Sequence, residues 1–149
     1  MFWRRRRSKD SDEFYQAGIG AMEAGDFKQA VHLFRKAAEA NPNRSEPHAA
    51  LGAILLPLME IDEAIHHFNE VIRLGSPSNE TYLNLAIALG NKCRMQEALS
   101  YAKKALQGSA NPLLIRQATQ FTQDIEDGTY IGGPWMCKLP VLDRYSNET

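Results

Sequence analysis

The feature that most constrains this chain is a step of 34 residues that relates three successive units of its sequence. Ala30, Ala64 and Ala98 stand one step apart, and so do Gly18, Gly52 and Ala86. Phe34, Phe68 and Ala102 form another series, and Ala37, Val71 and Ala105 a fourth. Phe14, His48 and Tyr82 share the register, as do Ala21, Leu55 and Leu89, then Phe27, Ile61 and Met95. Self-similarity at such a period means one supersecondary unit built repeatedly, each unit needing its neighbours to bury its apolar face.

Each unit reads as a helix, a short turn, a second helix and a longer turn. Ser11, Ser45 and Asn79 fall on the step and suit helix N-caps. Asp12, Glu46 and Glu80 follow them, acids where a first helical turn favours negative charge. The second helices are expected over 28–40, 62–74 and 96–107. Pro42 and Pro77 close the first two units, and Pro112 opens a further helix after Asn111. In that helix Leu114, Ala118, Phe121 and Ile125 make one apolar stripe, while Arg116, Gln117, Gln120, Gln123 and Asp124 cover the rest. It reads as a cap, apolar toward the last repeat and polar toward water.

The stretches "YQAGIGAMEAGDFKQAVHLFRKAAEANP", "HAALGAILLPLMEIDEAIHHFNEVIRLGSP" and "YLNLAIALGNKCRMQEALSYAKKAL" resemble the tetratricopeptide repeat family. The resemblance covers about residues 11–112. It implies an all-α fold, a right-handed α-solenoid of antiparallel helix-turn-helix repeats. The organisation expected is a basic, disordered arm at 1–10, repeats at 11–44, 45–78 and 79–111, a capping helix at 112–127 and a non-helical tail at 128–149. The chain departs from the family pattern in places. Phe14, His48 and Tyr82 stand where a tryptophan is typical, Met59 replaces the turn glycine, Pro57 shortens or kinks its helix, and Ala102 replaces a large aromatic. Small Ala30 and Ala37 are expected to meet Gly18 and Ala21, with Phe27 and Phe34 filling the gaps beside that contact.

In such a solenoid the first helices line a concave face. That face is expected to carry Asp12, Tyr15, Ile19 and Met22, then Ala49, Ala53 and Leu56, then Leu83, Asn84 and Ile87. An apolar floor with acids at its edges suits an amphipathic helix or an extended peptide. Some family members clamp the carboxylate end of a chaperone tail with Lys, Arg and Asn. Here the matching positions hold Tyr15, Ile19, Ala50, Glu80 and Asn84, so that ligand is not expected. The function expected is a non-enzymatic adaptor or scaffold with a protein or peptide partner. A small chaperone for an exported or assembled partner is the alternative.

Other chemistry finds no support in the pattern. There is no phosphate loop, no paired-carboxylate motif and no H-E-x-x-H, so no catalytic residue, cofactor, metal or small-molecule substrate is expected. His32, His66 and His67 are read as solvated on the outward side of the second helices. Cys93 and Cys137 are read as free thiols in a reducing, cytoplasmic setting. The overall charge of −1 hides an asymmetry. Residues 1–10 hold five bases and one acid, leaving the rest at −5. Arg4, Arg5, Arg6 and Arg7 beside Phe2 and Trp3 leave two contacts open for the arm, an anionic membrane or nucleic-acid phosphates. The tail, rich in Gly and Pro yet apolar, is expected to pack back on the repeats or to dock a partner.

Overall fold

A computed structural model describes residues 2–130, with side chains from residue 6 onward. Seven α-helices and no strand occur among these residues: α1 (Phe2–Glu23), α2 (Phe27–Ala40), α3 (Ser45–Leu55), α4 (Ile61–Arg73), α5 (Asn79–Asn91), α6 (Met95–Leu106) and α7 (Pro112–Glu126). They form two compact units, one ending at Ser76 and one beginning at Pro77. In the first unit α1 packs on α2, α2 on α3 and α3 on α4. In the second, α6 packs on both α5 and α7.

The hairpins α1–α2 and α3–α4 are joined by a ring laid on a bare backbone. A Cβ added to Gly18 would lie 2.6 Å from Phe34 Cε1, and one added to Gly52 would lie 2.5 Å from Phe68 Cε1. Both rings are almost fully buried, at 0% and 1% exposure. Glycine therefore faces phenylalanine, not alanine as expected. Ala30 and Ala37 are fully buried in the same core. In the third hairpin the pair becomes Ala86 and Ala102, so the ring is gone and a methyl stands on the first helix instead. Tyr82 and Tyr101 stack beside it with ring centroids 6.1 Å apart.

The first helix of every hairpin ends in the same way. Gly25, Met59 and Cys93, one step apart, adopt φ of 78°, 65° and 61°. The next N–H reaches back to the last turn each time: Asp26 to Ala21 O, Glu60 to Leu55 O and Arg94 to Leu89 O, at 2.9, 3.1 and 2.9 Å. This is a Schellman end, which favours glycine at the left-handed residue. The 34-residue register thus imposes the backbone even where the side chain disfavours it.

Several expectations are corrected. Residues 2–10 are not a disordered arm but the first part of α1, whose helix runs on past the repeat boundary at Ser11. Ser11 is consequently no cap: its hydroxyl donates to Ala37 O at 2.8 Å, tying α1 to the last turn of α2. Asp12 sits in mid-helix and pairs with Arg44. The cap of α5 is Ser78, whose Oγ accepts from Thr81 N at 3.1 Å, while Asn79 donates from Nδ2 to Gln107 O at 3.2 Å. His67 is buried rather than solvated, whereas His66 is exposed. Cys93 is disulfide-bonded, which removes the free thiol and the ground it gave for a reducing setting. Cys137 and the tail beyond Tyr130 lie outside the described residues.

Two substitutions test this account by thermal denaturation. Gly52→Ala drives a methyl into Phe68 and should cost about 1–3 kcal/mol by overpacking. Met59→Gly removes a side chain from a left-handed position and should stabilise by about 1 kcal/mol, a rise of about 4 °C in Tm.

Candidate functional site

The second unit contains an open groove between α5 and α7. Both helices lie on α6 and touch each other lightly, which leaves space between them. Asn111 accepts from Leu113 N and Leu114 N at 3.0 and 3.4 Å, and Pro112 opens the helix, so α7 begins sharply. Leu114, Ala118 and Phe121 then face the core, with Leu83 and Ala105 against Leu114 and Ala118. What remains between the two helices is a cavity of about 540 Å³ lined by Leu83, Asn84 and Ile87 of α5 and by Arg116, Gln117, Gln120, Phe121 and Asp124 of α7. A smaller hollow of about 240 Å³ continues past Leu83, Asn84 and Gln117 to Glu80, Asn111 and Leu113.

The groove has an apolar floor and polar walls. Leu83 and Phe121 are buried beneath it, and Ile87 is half-buried. Asp124 is engaged: its Oδ1 accepts from Gln120 Nε2 at 2.7 Å, and its carbonyl accepts from Thr129 N and Tyr130 N at 2.8 Å each. Glu80, Asn84, Arg116 and Gln117 make no hydrogen bond or ion pair among the described residues. Elsewhere in the protein, charges are used internally, as in Arg94–Glu97 at 2.7 Å and Lys103–Glu126 at 3.1 Å. Tyr130 packs against the groove residue Phe121. Its ring meets Phe121 edge-on at 4.8 Å and crowds Gly90, and its hydroxyl donates to Asn91 Oδ1 at 3.3 Å. Burial pushes its phenol pKa above the ordinary value.

Of the ten groove residues expected from sequence, Leu83, Asn84 and Ile87 are brought together here. The other seven belong to the first unit. On α1, Tyr15 and Ile19 are half-exposed and Asp12 and Met22 exposed. On α3 and just beyond it, Ala49 and Leu56 are half-exposed and Ala53 exposed. Arg44 bridges the two helices there, pairing with Asp12 and with Glu46 at 3.5 Å and lying 4.8 Å over the Tyr15 ring. Arg6 and Arg7 are exposed on α1; the Arg4 and Arg5 side chains lie outside those described.

The polar part of the α7 wall is what sequence reading misses, because Arg116, Gln117, Gln120 and Asp124 read as the solvated side of a cap. The signal was available. One more step of 34 from Leu83 and Ile87 reaches Gln117 and Phe121, so α7 stands in the register of a fourth first helix. Two further points bear on chemistry. No cluster of three or more His, Cys, Asp or Glu able to hold a metal occurs among the described residues. Nor is any described helix long and apolar enough to cross a membrane.

Comparison with known proteins agrees with this geometry. Residues 21–86 match the profile of a family described as tetratricopeptide repeat. The type IV pilus assembly protein PilF of Pseudomonas aeruginosa is 27% identical over 106 residues, 71% of this chain and 42% of PilF. Heat shock protein STI1 of Saccharomyces cerevisiae is 29% identical over 105 residues, 70% of this chain and 18% of STI1. The chain thus spans under half the length of these curated relatives. The first repeat domain of Spaghetti (RPAP3), solved with the HSP90 peptide SRMEEVD, superposes with a TM-score of 0.72 at 16% identity, over 80% of this chain and 93% of that one.

Folding and groove chemistry are separable here. Asn84→Ala and Arg116→Glu should each leave stability within about 0.5 kcal/mol, whereas Leu83→Ala should cost about 2–5 kcal/mol. Urea denaturation of the three variants measures the difference.

Proposed function

We propose that this chain, whose residues 21–86 match the tetratricopeptide repeat profile, is a non-enzymatic adaptor that binds a segment of a partner protein in the α5–α7 groove. The observation that carries this reading is the set of unengaged polar groups, Glu80, Asn84, Arg116 and Gln117, around the apolar floor of Leu83, Ile87 and Phe121. A fold has no use for them in that position. An extended peptide or one face of an amphipathic helix does, because it brings both apolar side chains and main-chain or charged groups to the same cleft.

The residues also shape which segment fits. Asn84 and Gln117 carry amides, each both donor and acceptor, and so suit the main chain of an extended segment. Arg116 and Glu80 favour a segment with charges of both signs. A free carboxylate end held near Glu80 would be repelled, so the partner segment is internal rather than an acidic chain end such as the SRMEEVD peptide of the RPAP3 structure. The half-exposed residues Tyr15 and Ile19 on α1 offer a second apolar surface in the first unit.

The test is a pull-down from native lysate, followed by fluorescence anisotropy with peptides tiled across the captured protein. Asn84→Ala/Arg116→Glu should weaken the best peptide at least about ten-fold, or about 1.4 kcal/mol, without altering the melt. Equal affinity for wild type and variant would remove the groove from the function. A partner that turns insoluble when this protein is withheld would shift the reading from adaptor to chaperone.

A further inference from the structure

His48 and His67 lie one 34-residue step before Tyr82 and Tyr101. The third repeat fills these two places with stacked tyrosines; the second fills them with two imidazoles whose centroids are 5.2 Å apart. Each histidine is 8% exposed, and their Nδ1 atoms are 3.0 Å apart. Two ring nitrogens at that distance make one hydrogen bond, with one ring donating and the other accepting.

The tautomers follow from the surroundings. His67 Nε2 is 3.6 Å from Glu63 Oε1, and a carboxylate only accepts, so His67 carries its proton on Nε2 and leaves Nδ1 bare. His48 then donates from Nδ1. Its own Nε2 is buried without a partner, where a bare lone pair is less costly than an orphaned N–H.

Acid changes this arrangement in two steps. A proton on His48 Nε2 leaves the Nδ1 contact intact; the nearby Pro42 backbone favours the charged ring but makes no hydrogen bond to Nε2. A proton on His67 Nδ1 puts two N–H groups face to face, and the contact cannot survive. We propose that the His48–His67 pair is an acid-operated latch between α3 and α4, closed by the single Nδ1–H···Nδ1 bond and opened when His67 Nδ1 is protonated.

The neighbourhood offers the opened ring somewhere to go. A hollow of about 360 Å³ beside the pair is lined by Arg35 and Glu39 from α2 and by Glu63 and His66 from α4. An imidazolium turned into it meets two carboxylates. Arg35 already holds Glu63, with contacts at 2.7 and 2.8 Å, so the released ring competes with Arg35 and draws α2 into the change. Glu70 and Arg73 complete the charges around the pair; they bond each other at 2.8 Å, and at His48 the pull of Glu70 outweighs the push of Arg73.

Burial, reinforced by the facing His48, lowers the His67 pKa to about 4. Burial also lowers that of His48, against the opposing pull of Glu70. Folded pKa values below the unfolded one mean that the contribution is complete above about pH 6.5 and is lost as the pH falls from there through about 4.

The test compares wild type with His48→Tyr/His67→Tyr, which installs the pair of the third repeat, and with the exposed His32→Gln as a control. Between about pH 7 and about pH 4, wild-type amides of α3 and α4 should lose roughly ten-fold or more in hydrogen-exchange protection, corrected for intrinsic rates, while those of α5 to α7 hold. The double tyrosine variant should show no such local loss, and His32→Gln should behave as wild type. Imidazole NMR titration of the wild type should find His67 titrating well below the ordinary histidine range. The proposal is overturned if His67 titrates normally, if α5 to α7 open equally, or if the double variant keeps the acid response. Should that variant not fold, the wild-type titration and exchange pattern decide alone.

Discussion

Everything in the two full hairpins of the first unit depends on a phenyl ring resting on a glycine. Phe34 occupies the space where a Cβ of Gly18 would be, and Phe68 does the same at Gly52. The contact sets how close the two helices of each hairpin come. A methyl there would force the ring out of its well or the helices apart, and either would loosen Ala30, Ala37 and Ala64, which are fully buried at zero exposure. Close packing makes the small residues and the rings one device, because neither can change size without the other. The third hairpin makes that exchange: Ala86 gains the methyl and Ala102 gives up the ring.

Much of this was legible in the sequence. The period located α2 to α6, and the left-handed turn at residue 25 could be extended to Met59 because the step is strict. What the period could not supply was orientation within the pair. Ala30 and Phe34 are four residues apart, on one side of α2, and only packing decides which of them lies over Gly18. The N-caps slipped for a related reason. A repeat fixes position modulo 34 but not which of two adjacent residues begins the helix, so Ser78 rather than Asn79 caps α5. At Ser11 the helix simply continues, and the hydroxyl is turned to the carbonyl of Ala37.

The histidines show the limit of reading one helix at a time. On α4 alone, His66 and His67 look like neighbours on a polar side. Position 67 is nevertheless a core position, as Tyr101 in the same register indicates, and His48 opposes it from α3. A pair of aromatic places has been filled with aromatics that can also bind protons. Packing alone is served by either choice, since both pairs put ring against ring. Only the histidines couple that packing to pH.

The groove divides the residues of α5 and α7 by a different criterion. Leu83, Ala118 and Phe121 set the depth of the cleft and are fixed by the core they belong to. Glu80, Asn84, Arg116 and Gln117 rest on that floor and contribute little to the fold, because none is engaged within it. Changing them therefore alters recognition at small cost in stability, while changing the floor alters both. That asymmetry explains why helical periodicity found the floor residues of α5 but dismissed the wall of α7. Periodicity detects what a helix buries in its own fold. A surface kept for another protein carries polar residues whose use becomes visible only when the facing helix is in place.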